Sequence, residues 1–98
     1  MSAEENLYVV AYDIADAARW RQVFKTMKGF GAWLQLSVFQ CRLGRQRHAE
    51  MVAMLDQIID HAHDHVVVMD LGNANQEPRV ISLGKRGFEP VERRVAIV

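Results

Sequence analysis

The sequence predicts an α+β domain in which one antiparallel sheet carries two helices on a single face. Three observations lead to that class. Short runs rich in β-branched and aromatic residues, Leu7-Tyr8-Val9-Val10-Ala11-Tyr12 and Val66-Val67-Val68-Met69, are apolar at consecutive positions, which marks strands covered on both sides. Two other stretches repeat apolar residues at the period of an amphipathic helix. Ninety-eight residues suffice for one core and one domain spanning 1–98, and a core of that size gains stability from an oligomer interface.

The first strand, 7–12, ends abruptly in Asp13. Asp16 is a natural N-cap for a helix over 17–28, whose Trp20, Val23, Phe24 and Met27 form one apolar stripe. Arg21, Lys25 and Lys28 repeat that spacing about 100° round the helix and make a basic flank. Gly29-Phe30-Gly31 closes the helix, with one glycine or the other free to take the left-handed cap conformation. A second strand is read over 33–43, with Leu34, Leu36 and Val38 on one face and Trp33, Phe39 and Cys41 on the other. Gly44 and Arg45 turn the chain into a helix over about 47–62, apolar along Met51, Val52, Leu55, Ile58, Ile59 and Ala62 and acidic at Glu50, Asp56 and Asp60. A third strand covers 66–69, a fourth covers 79–83, and the apolar run 95–98 reads as an extra C-terminal strand.

The fold expected is a ferredoxin-like domain, whose order β-α-β-β-α-β has one strand more between the two helices than the runs above. That architecture leaves one sheet face bare although its residues are apolar. A second copy is therefore expected to cover it, sheet on sheet, as an isologous homodimer, with strand 95–98 pairing at an edge, the partner's included.

A formal net charge of zero conceals segregation. From Ile14 to His48 seven basic residues (Arg19, Arg21, Lys25, Lys28, Arg42, Arg45, Arg47) face Asp16 alone, a local charge of +6, whereas 49–78 holds six acids and no Lys or Arg. Such asymmetry suits either a dipolar solvated surface or a cationic patch for a phosphate backbone. No run approaches the length of a bilayer span, and the acidic start Met1-Ser2-Ala3-Glu4-Glu5 lacks the features of a secretory signal, so a cytoplasmic address and no membrane partner are expected. Cys41 is the single cysteine, which rules out an intrachain disulfide and suits a small buried hydrophobe.

Asp13 is the first candidate for chemistry, because a carboxylate directly after an apolar strand costs several kcal/mol if buried unpaired. It reads either as a cap for the following helix or as a hard-cation ligand, two dyad-related copies holding one Mg²⁺ or another divalent cation with water completing the shell. His61, His63 and His65 alternate, but they share a face only if the segment stays extended, and a surface reading is preferred to a metal cluster. Gly84-Lys85-Arg86-Gly87 lacks the spacing of a P-loop and reads as a basic turn. Nothing in the spacing of Ser37 and His48 supports a nucleophile and its base.

Tyr12-Asp13-Ile14 after a first strand, Arg19 and Arg21 on the next helix, Gly29 and Gly31, and Gln35-Leu36-Ser37-Val38-Phe39 together resemble the CRISPR-associated adaptation protein two family. The resemblance runs over roughly 7–71. It implies a ferredoxin-like homodimer that works as an adaptor for the CRISPR-associated integrase, protein one, during spacer acquisition, and a Mg²⁺-dependent endonuclease on single-stranded RNA or double-stranded DNA. By the same resemblance Asp13 is the metal ligand and catalytic residue, and Arg19, Arg21, Ser37 and Phe39 match nucleic-acid-binding positions, to which Lys25 and Lys28 add from the basic flank. Three positions depart from the family pattern: Trp33 stands where a basic residue is common, Leu36 where tyrosine is usual, and Ala15 where Ser or Thr often follows. Fold analogy alone suggests a toxin-like ribonuclease or a small-ligand regulatory domain as alternatives.

Overall fold

In the computed structural model, which describes residues 4–75 and 81–84, the chain runs β1 (Asn6–Asp13), α1 (Ala17–Lys28), β2 (Gly31–Gln35), β3 (Val38–Leu43), α2 (Arg45–Ile58) and β4 (His65–Asn73). The sheet order is β2-β3-β1-β4, and every neighbouring pair is antiparallel. This is the ferredoxin-like arrangement, with β1 flanked on both sides.

Tyr8, Val10 and Tyr12 of β1 and Phe39, Cys41 and Leu43 of β3 point to one side, where Val23 and Met27 of α1 and Met51 and Leu55 of α2 close the core. Val10, Val23, Met27, Phe39, Cys41 and Met51 are fully buried. Burial of this kind stabilises by about 1.5–3 kcal/mol for each large apolar side chain. It also pushes the Cys41 thiol up to about 12, so that residue packs as the small hydrophobe its sequence context suggested.

The other face is apolar and unevenly covered: Leu7, Ala32 and Gln40, which the register places on it, are buried, whereas its β4 side is open. By strand alternation it carries Val9, Ala11 and Asp13 of β1 with Val67 and Met69 of β4 in register beside them. Val67 and Met69 are exposed. At its far end Arg42 Nη1 donates to the Ala74 carbonyl at 2.6 Å, and Ala74 is buried there. Among the described residues no helix is long and apolar enough to cross a membrane.

Five sequence expectations change. The expected strand 33–43 is a hairpin of two strands, β2 and β3, broken at Leu36-Ser37, which supplies the second inner strand that the βαββαβ order requires. Its turn contains no Gly, Pro, Asn or Asp; Leu36 takes the left-handed conformation (φ 39°), and Trp33 Nε1 donates to its carbonyl at 2.9 Å. Neither Gly29 nor Gly31 is a left-handed cap: Gly29 has φ −82°, and neither residue has positive φ. Gly31 is needed for another reason, since a Cβ there would overlap the Gln40 carbonyl oxygen and Cys41 Sγ on β3. The second helix starts at Arg45 and stops at Ile58, short of Ala62, because Ile59 turns extended (ψ 159°). Finally β4 outgrows its expected 66–69, and Gly72 (φ 94°) lies beside the register shift that separates the pairings of Asn6 and Tyr8. Of the expected strand 79–83, Ile81 to Leu83 are exposed and form no strand; Arg79, Val80 and the expected strand 95–98 lie outside the described residues.

Candidate functional site

One end of the sheet gathers the C-terminus of β1, the β2–β3 turn, the start of α1 and the start of β4. Asp13 closes β1 there and is exposed. The cap of α1 is Asp16, whose Oδ2 accepts the Arg19 N–H at 2.9 Å. Asp13 therefore has no capping duty, and among the described residues its carboxylate forms neither a hydrogen bond nor an ion pair. Its Cα partner across the ladder is His65, also exposed.

Arg19 faces a different carboxylate. Its Nε and Nη2 donate to Asp64 Oδ2 and Oδ1 at 2.7 and 3.0 Å, a bidentate pair of the strong kind. Asp64 also accepts the N–H groups of Ala15 at 2.9 Å and Asp60 at 2.8 Å, and its side chain is fully enclosed. One carboxylate thus ties the loop after Asp13 to α1 and to the α2–β4 connection. The Arg19 guanidinium, with the Asp60 and Ala15 amides, holds the Asp64 carboxyl well below the usual carboxylate range, against the upward push of desolvation. Because the folded pKa is depressed, the stabilisation is complete above the ordinary value near pH 3.9 and is lost as pH falls through the folded value. Asp64→Asn is expected to lower the melting temperature at pH 7 and to flatten the acid limb of stability below roughly pH 5. Thermal melts across pH check this, and an acid limb as steep as the wild type's would contradict it.

The other expected nucleic-acid residues divide. Arg21, Lys25 and Lys28 are exposed along α1, with Lys28 Nζ lying 5.7 Å from the Phe24 ring centroid. Ser37 is committed to the fold: its Oγ accepts from Trp20 Nε1 at 2.9 Å and its carbonyl accepts the Tyr12 N–H at 3.0 Å. Phe39 offers no surface, being fully buried between Phe24 at 5.6 Å and Tyr12 at 6.3 Å. The Tyr12 hydroxyl beside it is buried without a partner among the described residues, and burial pushes its pKa up to about 12.

The three alternating histidines disperse. His61 Nε2 lies 3.1 Å from Asp56 Oδ1 and His63 Nδ1 lies 3.1 Å from Asp60 Oδ2, while His65 stands opposite Asp13. Among the described residues no three His, Cys, Asp or Glu side chains gather as a metal cluster. His48 stacks on Tyr8 with centroids 4.3 Å apart, towards the other end of β1 from Ser37, which agrees with the rejection of a Ser37–His48 pair. Lys85, Arg86 and Gly87 lie outside the described residues.

Sequence reasoning missed Asp64 and did not place His65 beside Asp13. Both sit in a segment read as surface, and only a strand register starting at His65 could have placed one beside Arg19 and the other beside Asp13. Arg47 was also missed as a packing group: its Nη2 donates to the Gly29 carbonyl at 3.0 Å and its guanidinium covers Phe30 at 4.3 Å.

Comparison with known proteins returns one family. The model of the family described as CRISPR associated protein Cas2 matches residues 6–78. A protein named CRISPR-associated endoribonuclease Cas2 from Geobacter sulfurreducens is 56% identical over 95 residues, covering 96% of this chain and 99% of the relative. A protein named CRISPR-associated endoribonuclease Cas2 1 from Rhodospirillum rubrum is 56% identical over 98 residues, covering 99% and 95%. Among solved structures, Streptococcus pyogenes Cas2 at pH 6.5 superposes with a TM-score of 0.71 at 31% identity, covering 80% of this chain and 99% of the other.

Proposed function

The chain belongs to the CRISPR associated protein Cas2 family, and on that premise we propose that it cleaves phosphodiester bonds in single-stranded RNA, with Asp13 as the ligand of Mg²⁺ or another divalent cation. The observation that carries this reading is the exposed carboxylate of Asp13, without a partner among the described residues and held at the mouth of a buried strand with the capping role filled by Asp16. An exposed anionic oxygen open to water suits a cation that keeps most of its hydration shell. Such a cation supplies polarisation of a phosphate oxygen and a lowered pKa for water. The chain's own part is positional: the Arg19–Asp64 clamp fixes the loop that follows Asp13, and Arg21 and Lys25 offer cations to the substrate backbone. The relatives' names as endoribonucleases favour RNA over DNA. Wild-type protein in Mg²⁺ is expected to shorten single-stranded RNA, and EDTA to stop it. Cleavage that continues undiminished in EDTA would contradict a metal-dependent reaction.

A second reading, in which a homodimer serves as an adaptor between integrase molecules and steadies duplex DNA, is supported by the apolar face carrying Val67 and Met69 and by the exposed basic row on α1. A dimer through that face would draw two Asp13 carboxylates towards a common axis. Sedimentation is expected to give the mass of two chains, and charge reversal at Arg21 and Lys25 to weaken duplex binding and lessen its salt dependence. A single-chain mass at micromolar concentration would exclude it. The family match, rather than fold analogy with toxins or regulatory domains, carries both readings.

A further inference from the structure

The strand register that starts β4 at His65 places an imidazole directly across from Asp13. Opposite residues of an antiparallel pair share a face, with Cβ atoms about 4.5–5.5 Å apart, a spacing from which a carboxylate and an imidazole can reach one cation. Both residues are exposed at the sheet end. The neighbouring histidines are engaged with carboxylates of their own, His61 with Asp56 and His63 with Asp60, and the adjacent Asp64 is consumed by Arg19. Among the described residues the His65 imidazole has no hydrogen-bonded partner.

We propose that His65 is a second protein ligand of the cation held by Asp13, so that the site takes first-row transition ions such as Mn²⁺ in preference to Mg²⁺. This rests on the reading of Asp13 given above and refines it. A site of carboxylate and water alone is suited to Mg²⁺, whereas an imidazole nitrogen adds affinity for first-row ions and little for Mg²⁺. With Asp13 and His65 as the two ligands from this chain, water and phosphate oxygens are left to complete the shell, which keeps positions open for a substrate.

The test is Mn²⁺ binding to the full chain without nucleic acid, followed by electron paramagnetic resonance of the bound ion. Wild-type protein is expected to show nitrogen coupling from a directly bound imidazole. His65→Ala is expected to lose that coupling and to bind Mn²⁺ about tenfold more weakly or worse, with Mg²⁺ affinity nearly unchanged, while His61→Ala keeps the wild-type signal. Because His65 is exposed, its replacement is expected to leave the melting temperature in place, which separates ligand loss from unfolding. Absence of nitrogen coupling in the wild type, or its persistence in His65→Ala, would overturn the assignment of His65 while leaving Asp13 as ligand untouched. Mn²⁺ affinity that survives Asp13→Ala unchanged would instead defeat the reading on which this one rests.

Discussion

Phe39→Ala is expected to destabilise the domain by about 3–5 kcal/mol, the cost of emptying a large aromatic from a closed core. The ring is fully buried and packs against Phe24 and Tyr12, so neighbours on both the sheet and α1 lose contacts together. For a chain of this length each kcal/mol moves the melting temperature by about 4–8 °C, and the variant should be largely unfolded well below the wild-type transition. Phe39→Leu refills most of the volume and is expected to stay folded and to bind RNA as the wild type does. Thermal melts and binding measured on the two variants separate packing from base stacking. A folded Phe39→Leu that no longer binds RNA would show that the ring meets nucleic acid after all.

The residues that define layers were legible, and those that define turns and registers were not. Asp16 was readable as a cap and Trp20, Val23, Phe24 and Met27 as a stripe because helix periodicity is a local signal. The β2–β3 hairpin hid because its turn is built on Leu36, a residue that rarely adopts positive φ, so no punctuation interrupted the apolar pattern. Arg19 looked like a free cation for the same kind of reason: its partner Asp64 is 45 residues away and meets it only once β4 is paired with β1. Phe39 matched a family binding position while the alternation of its own strand already put it beside Cys41 on the side that proved to be the core. The site itself was half visible, since Asp13 stands out at the end of an apolar run and His65 becomes its neighbour only through the strand register.

Asp13→Asn removes one negative charge while keeping shape, at an exposed position whose carboxylate has no hydrogen-bonded partner among the described residues. Stability is therefore expected to stay within about 0.5 kcal/mol of the wild type, as for other surface changes. Loss of a group that holds charge at the reacting phosphate costs on the order of 10²–10³ in rate, and the residual activity is expected to respond little to added Mg²⁺. A carboxylate that served structure would give the opposite pair of results, because its removal would show in the melt before it showed in turnover. The decisive measurement is RNA cleavage by Asp13→Asn in Mg²⁺ beside its melting temperature: a fall of about 100-fold or more with an unchanged melt is the expected result. Cleavage at the wild-type rate, or a large drop in melting temperature, would contradict the assignment of Asp13 to the chemistry.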